Sequence, residues 1–218
     1  MKKMTDRRLA KFRRVVQQRQ PDLTVILENV HDPHNIGAVM RSCDSVGIKE
    51  IFVLFTETHL DERRFKLGKR TSAGTRKWLD VHLYRDPQAC FEHVKSKYQR
   101  ILSTHLSEDA VGLHQLDLAA PVALLFGNEH DGLSEAALAH SDGNFIIPQM
   151  GMAESLNISV ACAVTLYEAF RQRRERDLYT KHPQWPAERQ AALLQEYLRR
   201  HGDRFKNQYP TEAEEGEG

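Results

Sequence analysis

Five short apolar runs, Leu23–Leu27, Ile51–Phe55, Ile101–Ser103, Val122–Phe126 and Phe145–Ile147, set the strongest limit on what this chain can fold into. Each has the length of a strand and almost no polar residue to turn toward water, the pattern of strands covered on both faces. Helical patterns separate them. Gly37–Val46 ends at Gly47, a residue suited to closing a helix. Pro87–Tyr98 is amphipathic, Ser134 can cap Glu135–His140, and Ser155–Arg176 carries Leu156, Val160, Ala163, Val164, Tyr167 and Phe170 at helical spacing. Strand–helix alternation predicts an α/β fold, a mostly parallel sheet with helices on both faces.

The chain's 218 residues suffice to bury about 70% of the unfolded surface, so the fold needs no covalent staples. Cys43, Cys90 and Cys162 are odd in number, far apart and without C-x-x-C pairing, which argues against a disulfide framework or a zinc site and for a reducing, cytoplasmic setting. No run approaches the roughly 18 apolar residues of a membrane helix, and the basic start has no apolar segment behind it, so a soluble, unexported protein is expected.

Charge is spread unevenly. Residues 2–19 hold Lys2, Lys3, Arg7, Arg8, Lys11, Arg13, Arg14 and Arg19 against Asp6, whereas Glu212, Glu214, Glu215 and Glu217 make the end acidic. A basic helical arm over residues 1–20 suits a phosphate backbone, although the same charges would serve as a solvated helix face. After the central domain, residues 21–176, an extension over 177–210 crosses Pro183 and Pro186 and forms a second amphipathic helix, Ala187–Arg200, striped by Ala191, Leu194 and Leu198. Both flanking helices need a surface to dock on. Residues 211–218 are expected to be a disordered tail.

Neither G-x-G-x-x-G nor a G-x-x-x-x-G-K-[ST] loop is present, which argues against Rossmann and P-loop sites. The informative glycines fall late, at Gly127, Gly132 and Gly151, near strand ends where open α/β sheets bind ligands. Three blocks concentrate polar residues: Asn29 to Arg41, Leu125 to Ser134, and Ile147 to Ser159. Ser155, Asn157 and Ser159 crowd a helix start, where such side chains cap or meet a ligand. In this order and at these separations, the blocks resemble the motifs of the SpoU/TrmH family of RNA ribose 2′-O-methyltransferases, in the SPOUT superfamily.

That resemblance covers roughly residues 22–171 and implies an S-adenosylmethionine-dependent homodimer with a C-terminal trefoil knot near residues 121–171. It implies cofactor contacts at Thr104, Gly127, Ile147 and Leu156. It assigns the catalytic role to Arg41, with Asn35, Glu129, Ser155 and Asn157 around the target nucleotide. The expected substrate is the D-loop guanosine of tRNA, gripped by Arg7, Arg8, Lys11, Arg13, Arg19, Arg171 and Arg174. rRNA or another tRNA position is the alternative within the class. A non-catalytic RNA-binding protein and a nucleotide-using metabolic enzyme are the alternatives outside it.

Arg41 as a literal base is physically awkward, because neutralising a guanidinium at pH 7 would cost roughly 7 kcal/mol. A bidentate phosphate clamp that orients the hydroxyl and stabilises charge as the proton leaves is the safer role. The plainer reading of Arg41 is a helix-surface pair with Asp44, and that of Asn35 is an N-cap. His31, His34, His105 and His130 lack the spacing of a metal motif, so no metal is expected. Cys162 fits a buried small hydrophobe. The basic stretch Lys66–Trp78 reads as a loop near RNA, with Trp78 a platform for a splayed base or simply part of an exposed loop.

Overall fold

The structure, a computed structural model, describes residues 5–58, 74–128, 130–180 and 185–202. Its strands are β1 (Leu23–Glu28), β2 (Glu50–Leu54), β3 (Asp80–Tyr84), β4 (Ile101–Thr104), β5 (Val111–Gly112), β6 (Val122–Phe126) and β7 (Gly143–Ile146). They form one sheet in the order β3-β2-β1-β6-β4-β7-β5, every neighbouring pair parallel. The five expected strands are all present. β3 and β5 were not expected, and each has a reason to be inconspicuous. β3 is an edge strand that alternates polar and apolar residues, and β5 is two residues long on the opposite edge.

Alternate residues of the central strands divide between two cores. Leu23, Val25 and Leu27 of β1 join Ile36, Val39, Met40 and Cys43 of α2 (Pro33–Ser45) and Ile158, Cys162, Leu166 and Ala169 of α5 (Ile158–Glu175). Ile26, Phe52 and Leu54 point the other way, onto Cys90, Phe91 and Val94 of α3 (Pro87–Lys95) and Ala137 of α4 (Glu135–Leu138). Helices therefore cover both faces, and each fully buried Leu, Ile or Phe contributes about 1.5–3 kcal/mol of transfer free energy.

Two helix starts are shifted from expectation. Asp32, not Asn35, caps α2: its carboxylate accepts from the His34 N–H at 2.8 Å, and Pro33 takes the first turn, where no amide is missed. α5 begins at Ile158 with Asn157 as its cap, so Ser155 and Leu156 lie on the approach to the helix. Gly47, at φ +90°, follows the end of α2 as expected.

The flanking helices dock on one another. Phe12 and Val16 of α1 (Asp6–Gln17) pack against Leu193 and Tyr197 of α6 (Ala187–Gly202), with Trp78 between them at 5.3 Å from both Phe12 and Tyr197. Leu193 and Tyr197 are the buried residues of α6, and Ala191 of the expected stripe faces solvent. Trp78 packs against this small core while staying half-buried; residues 66–73 of that stretch lie outside the described residues.

Arg19 corrects an expectation. It is 1% exposed, where no RNA phosphate can reach it. Its guanidinium donates to the Tyr197 hydroxyl at 2.9 Å, the Ile48 carbonyl at 2.6 Å, Asp44 at 2.7 Å and the Trp78 carbonyl at 3.2 Å. One side chain thus ties α1 and α6 to the central domain. Arg173, at 0%, does similar work beneath the sheet, donating to Asp22, Gln20 and the carbonyls of Leu118 and Ala120. Removing one partner of a buried, hydrogen-bonded ion pair costs about 3–5 kcal/mol. Arg19→Met is therefore expected to lower unfolding free energy by about that amount in urea titrations, and a loss below about 1 kcal/mol would contradict the tie.

Candidate active site

Register brings the functional loops together. Leu27 pairs with Phe126, Ser103 with Leu125 and Thr104 with Phe145, so β1, β6, β4 and β7 end side by side. Thr104 ends β4, Gly127 and Ile147 follow its neighbours β6 and β7, and Leu156 lies just before α5; all four are half-buried. Thr104 donates its hydroxyl to the Leu125 carbonyl at 3.4 Å.

The loop after β6 closes on itself. Asn128 and Gly132 exchange backbone hydrogen bonds of 3.1 Å each, and the Asn128 side-chain oxygen accepts from the amides of His130 at 2.7 Å and Asp131 at 2.8 Å. A Cβ on Gly127 would stand 2.2 Å from the Gly132 oxygen and 2.6 Å from the Leu133 nitrogen. Glycine is therefore required by the loop's own backbone, a more immediate demand than approach to a ligand. Glu129 lies outside the described residues.

The first and third blocks meet directly. Asn157 donates from Nδ2 to Asn35 Oδ1 at 3.2 Å, across 122 residues of chain. Its Oδ1 meanwhile caps α5, accepting from the Ser159 amide at 2.9 Å and the Ser159 hydroxyl at 2.6 Å. Ser155, Met150 and Met152 are exposed beside this junction in sequence. Further along α2, Arg41 projects into solvent without a hydrogen-bond or ion-pair partner among the described residues. Its expected surface partner, Asp44, is taken by Arg19. Cys43 and Cys162 face one another between α2 and α5, and burial raises the Cys43 thiol well above its ordinary range, so it is no nucleophile. Among the described residues no three His, Cys, Asp or Glu side chains gather as a metal would need.

The basic residues part company. Arg7, Arg8, Lys11 and Arg14 line an open concavity of about 840 Å³ with Phe12, Trp78, Tyr197 and Asp44, which places it against the same helix as Arg41. Arg13 is exposed but does not line it. Arg171 is engaged by Glu168 at 2.8 Å and Glu175 at 2.7 Å, and its hydrogen bonds hold the Glu168 carboxyl down at about 2. Arg174 lies over the Phe170 ring at 5.7 Å. Sequence reasoning passed over Glu28 at the end of β1. A lone carboxylate closing an apolar strand was the available signal.

The sheet is fully parallel, the loop after β6 closes on itself, and Asn157 joins the start of α5 to Asn35 of α2; comparison with known proteins gives the class. The SpoU rRNA Methylase family matches residues 22–167, and the chain belongs to that family. A tRNA (guanosine(18)-2'-O)-methyltransferase of Thermus thermophilus is 40% identical over 200 residues, 92% of this chain and 100% of that one. The crystal structure of the A. aeolicus TrmH/SpoU tRNA modifying enzyme superposes with a TM-score of 0.80 at 31% identity, covering 91% of this chain and 98% of that one. The SpoU methyltransferase AviRb of Streptomyces viridochromogenes, in complex with the cofactor AdoMet, superposes with a TM-score of 0.63 at 30% identity, covering 72% of this chain and 59% of that one.

Gly127→Ala forces a methyl group into peptide backbone. It is expected to cost about 1–3 kcal/mol and to strip amide-exchange protection from Gly132; wild-type protection at Gly132 would contradict the close approach.

Proposed function

We propose that the chain methylates the ribose 2′-hydroxyl of a D-loop guanosine in tRNA, position 18 in the named activity of its relatives, using S-adenosylmethionine. The observation that carries this reading is the Asn35–Asn157 hydrogen bond, which sets two polar motifs at one place beside the half-buried loops after β4, β6 and β7. The residues fit the cofactor. Ile147 and Leu156 offer half-open apolar surface for an adenine, and the main chain around Thr104 and Leu156 offers donors and acceptors for its edge. When bound, the cofactor supplies an electrophilic methyl group.

The chain's own residues do the rest. Arg41, exposed and without an ion-pair partner among the described residues, clamps the phosphate beside the target ribose and stabilises charge as the hydroxyl proton passes to a phosphate oxygen or water. Asn35, Asn157 and Ser155 orient the nucleotide, and Glu129 shapes the loop after Gly127. Positioning supplies most of the acceleration. Arg7, Arg8 and Lys11, with Arg14 added by the concavity, hold the RNA backbone, and Arg13 and Arg174 extend that surface. Arg171 joins them once released from its carboxylates.

The finer architecture belongs to the same reading. The trefoil knot near residues 121–171 is supported by β6, late in the chain, lying between β1 and β4 while α5 folds back on α2. A homodimer is supported by Val160, Val164 and Tyr167, which leave an apolar stripe on α5 at 46%, 39% and 53% exposure; Tyr167 reaches Ser45 of α2 at 3.4 Å. No described helix is long and apolar enough to cross a membrane, and the tRNA substrate suits a cytoplasmic enzyme.

Arg41→Ala is expected to reduce methyl transfer to tRNA by about 10²–10³-fold while calorimetry finds cofactor affinity nearly unchanged. Loss of cofactor binding, or retained transfer, would remove Arg41 from the proposed role. Val164→Asp should shift the sedimentation coefficient from dimer to monomer. A wild-type protein that sediments as a monomer at micromolar concentration would sink the dimer.

A further inference from the structure

Glu28 ends β1 with a buried carboxylate, 1% exposed, and no cation among the described residues pairs with it. Both oxygens are spent on one residue. Oε2 accepts from the Ser134 amide at 2.9 Å and Oε1 from the Ser134 hydroxyl at 2.6 Å. The same hydroxyl accepts from the Ala137 amide at 3.1 Å, so a chain of hydrogen bonds runs from the end of β1 into α4. Burying a carboxyl group is costly unless it is hydrogen-bonded, and an apolar residue would close an apolar strand more cheaply.

The neighbouring residue is also constrained. Asn29 takes φ +49°, uncommon away from glycine, and trades two hydrogen bonds with Thr56: Nδ2 donates to the Thr56 hydroxyl at 2.8 Å, and the Thr56 amide donates to Oδ1 at 2.9 Å. Two consecutive side chains thus anchor the end of β1 to the segment after β2 and to the exit of the 127–134 loop. Four residues past Glu28 comes Asp32, the cap of α2, the helix that carries Asn35 and Arg41.

We propose that Glu28 is a positioning residue for methyl transfer: it fixes the 127–134 loop relative to the start of α2, so that the cofactor side and the Asn35–Arg41 side of the site keep one geometry. This rests on the methyltransferase reading above. The experiment compares wild type, Glu28→Gln, Ser134→Ala and the double variant. It measures kcat per titrated cofactor site at saturating S-adenosylmethionine and tRNA, tRNA affinity by filter binding, and amide exchange over residues 130–134.

Glu28→Gln turns an amide NH₂ or a single weaker acceptor toward Ser134. It should lower kcat about 10-fold or more with tRNA affinity unchanged, and expose the loop amides to exchange. Ser134→Ala, which keeps the backbone bond, should lose less, and the double variant should be no worse than Glu28→Gln. Wild-type kcat in both single variants, losses that multiply in the double, or a deficit seen only as fewer cofactor sites would each overturn the proposal. Should Glu28→Gln not fold, Ser134→Ala decides: reduced kcat at unchanged tRNA affinity supports the clamp, and full turnover overturns it. A wild type inactive on every RNA tested would instead count against the functional reading, with loop exchange in the variants still deciding whether the clamp exists.

Discussion

Strands buried on both faces leave a chain one outlet for chemistry, the edge where its loops depart. Every residue of β1 and β6 is buried, and helices cover the sheet above and below. Side chains within the strands are committed to the two cores, so polar function collects at the carboxyl ends, where Thr104, Gly127 and Ile147 emerge in adjacent positions. From that constraint follow the loop that closes upon itself after Gly127 and the meeting of Asn35 with Asn157. The helix carrying Arg41 is held from beneath by the same core that buries the sheet.

The charged residues divide by what burial allows them. Arg19 and Arg173 are sealed inside, each satisfied by several acceptors, and act as ties between segments far apart in the chain. Arg41 and the outer basic residues of α1 stay exposed to water, with Arg8 lying over the Phe12 ring at 5.8 Å. The two groups meet on α2, where Arg19 takes Asp44, three positions past Arg41.

Much of this was legible in the sequence because buried parallel strands and capped helices leave local signals. All five apolar runs became strands, Ser134 caps α4, and Gly47 closes α2. What escaped depends on packing across the chain. β3 and β5 are short edge strands recruited by neighbours, Arg19 looks like any residue of a basic arm until Tyr197 and Asp44 surround it, and Trp78 could not be told from a loop aromatic before α1 and α6 packed against it. Of the candidate site, the Asn35–Asn157 contact joins residues that the motifs had already singled out. Glu28 was passed over because its meaning lies in Ser134, 106 positions away.

The central claim is that this edge carries ribose methylation of tRNA. Incubation with methyl-labelled S-adenosylmethionine and an unmodified tRNA transcript, followed by digestion to nucleosides and positional mapping, tests it most directly. The account predicts label in 2′-O-methylguanosine at the D-loop position. Label on a base, on rRNA alone, or on no RNA at all would contradict it.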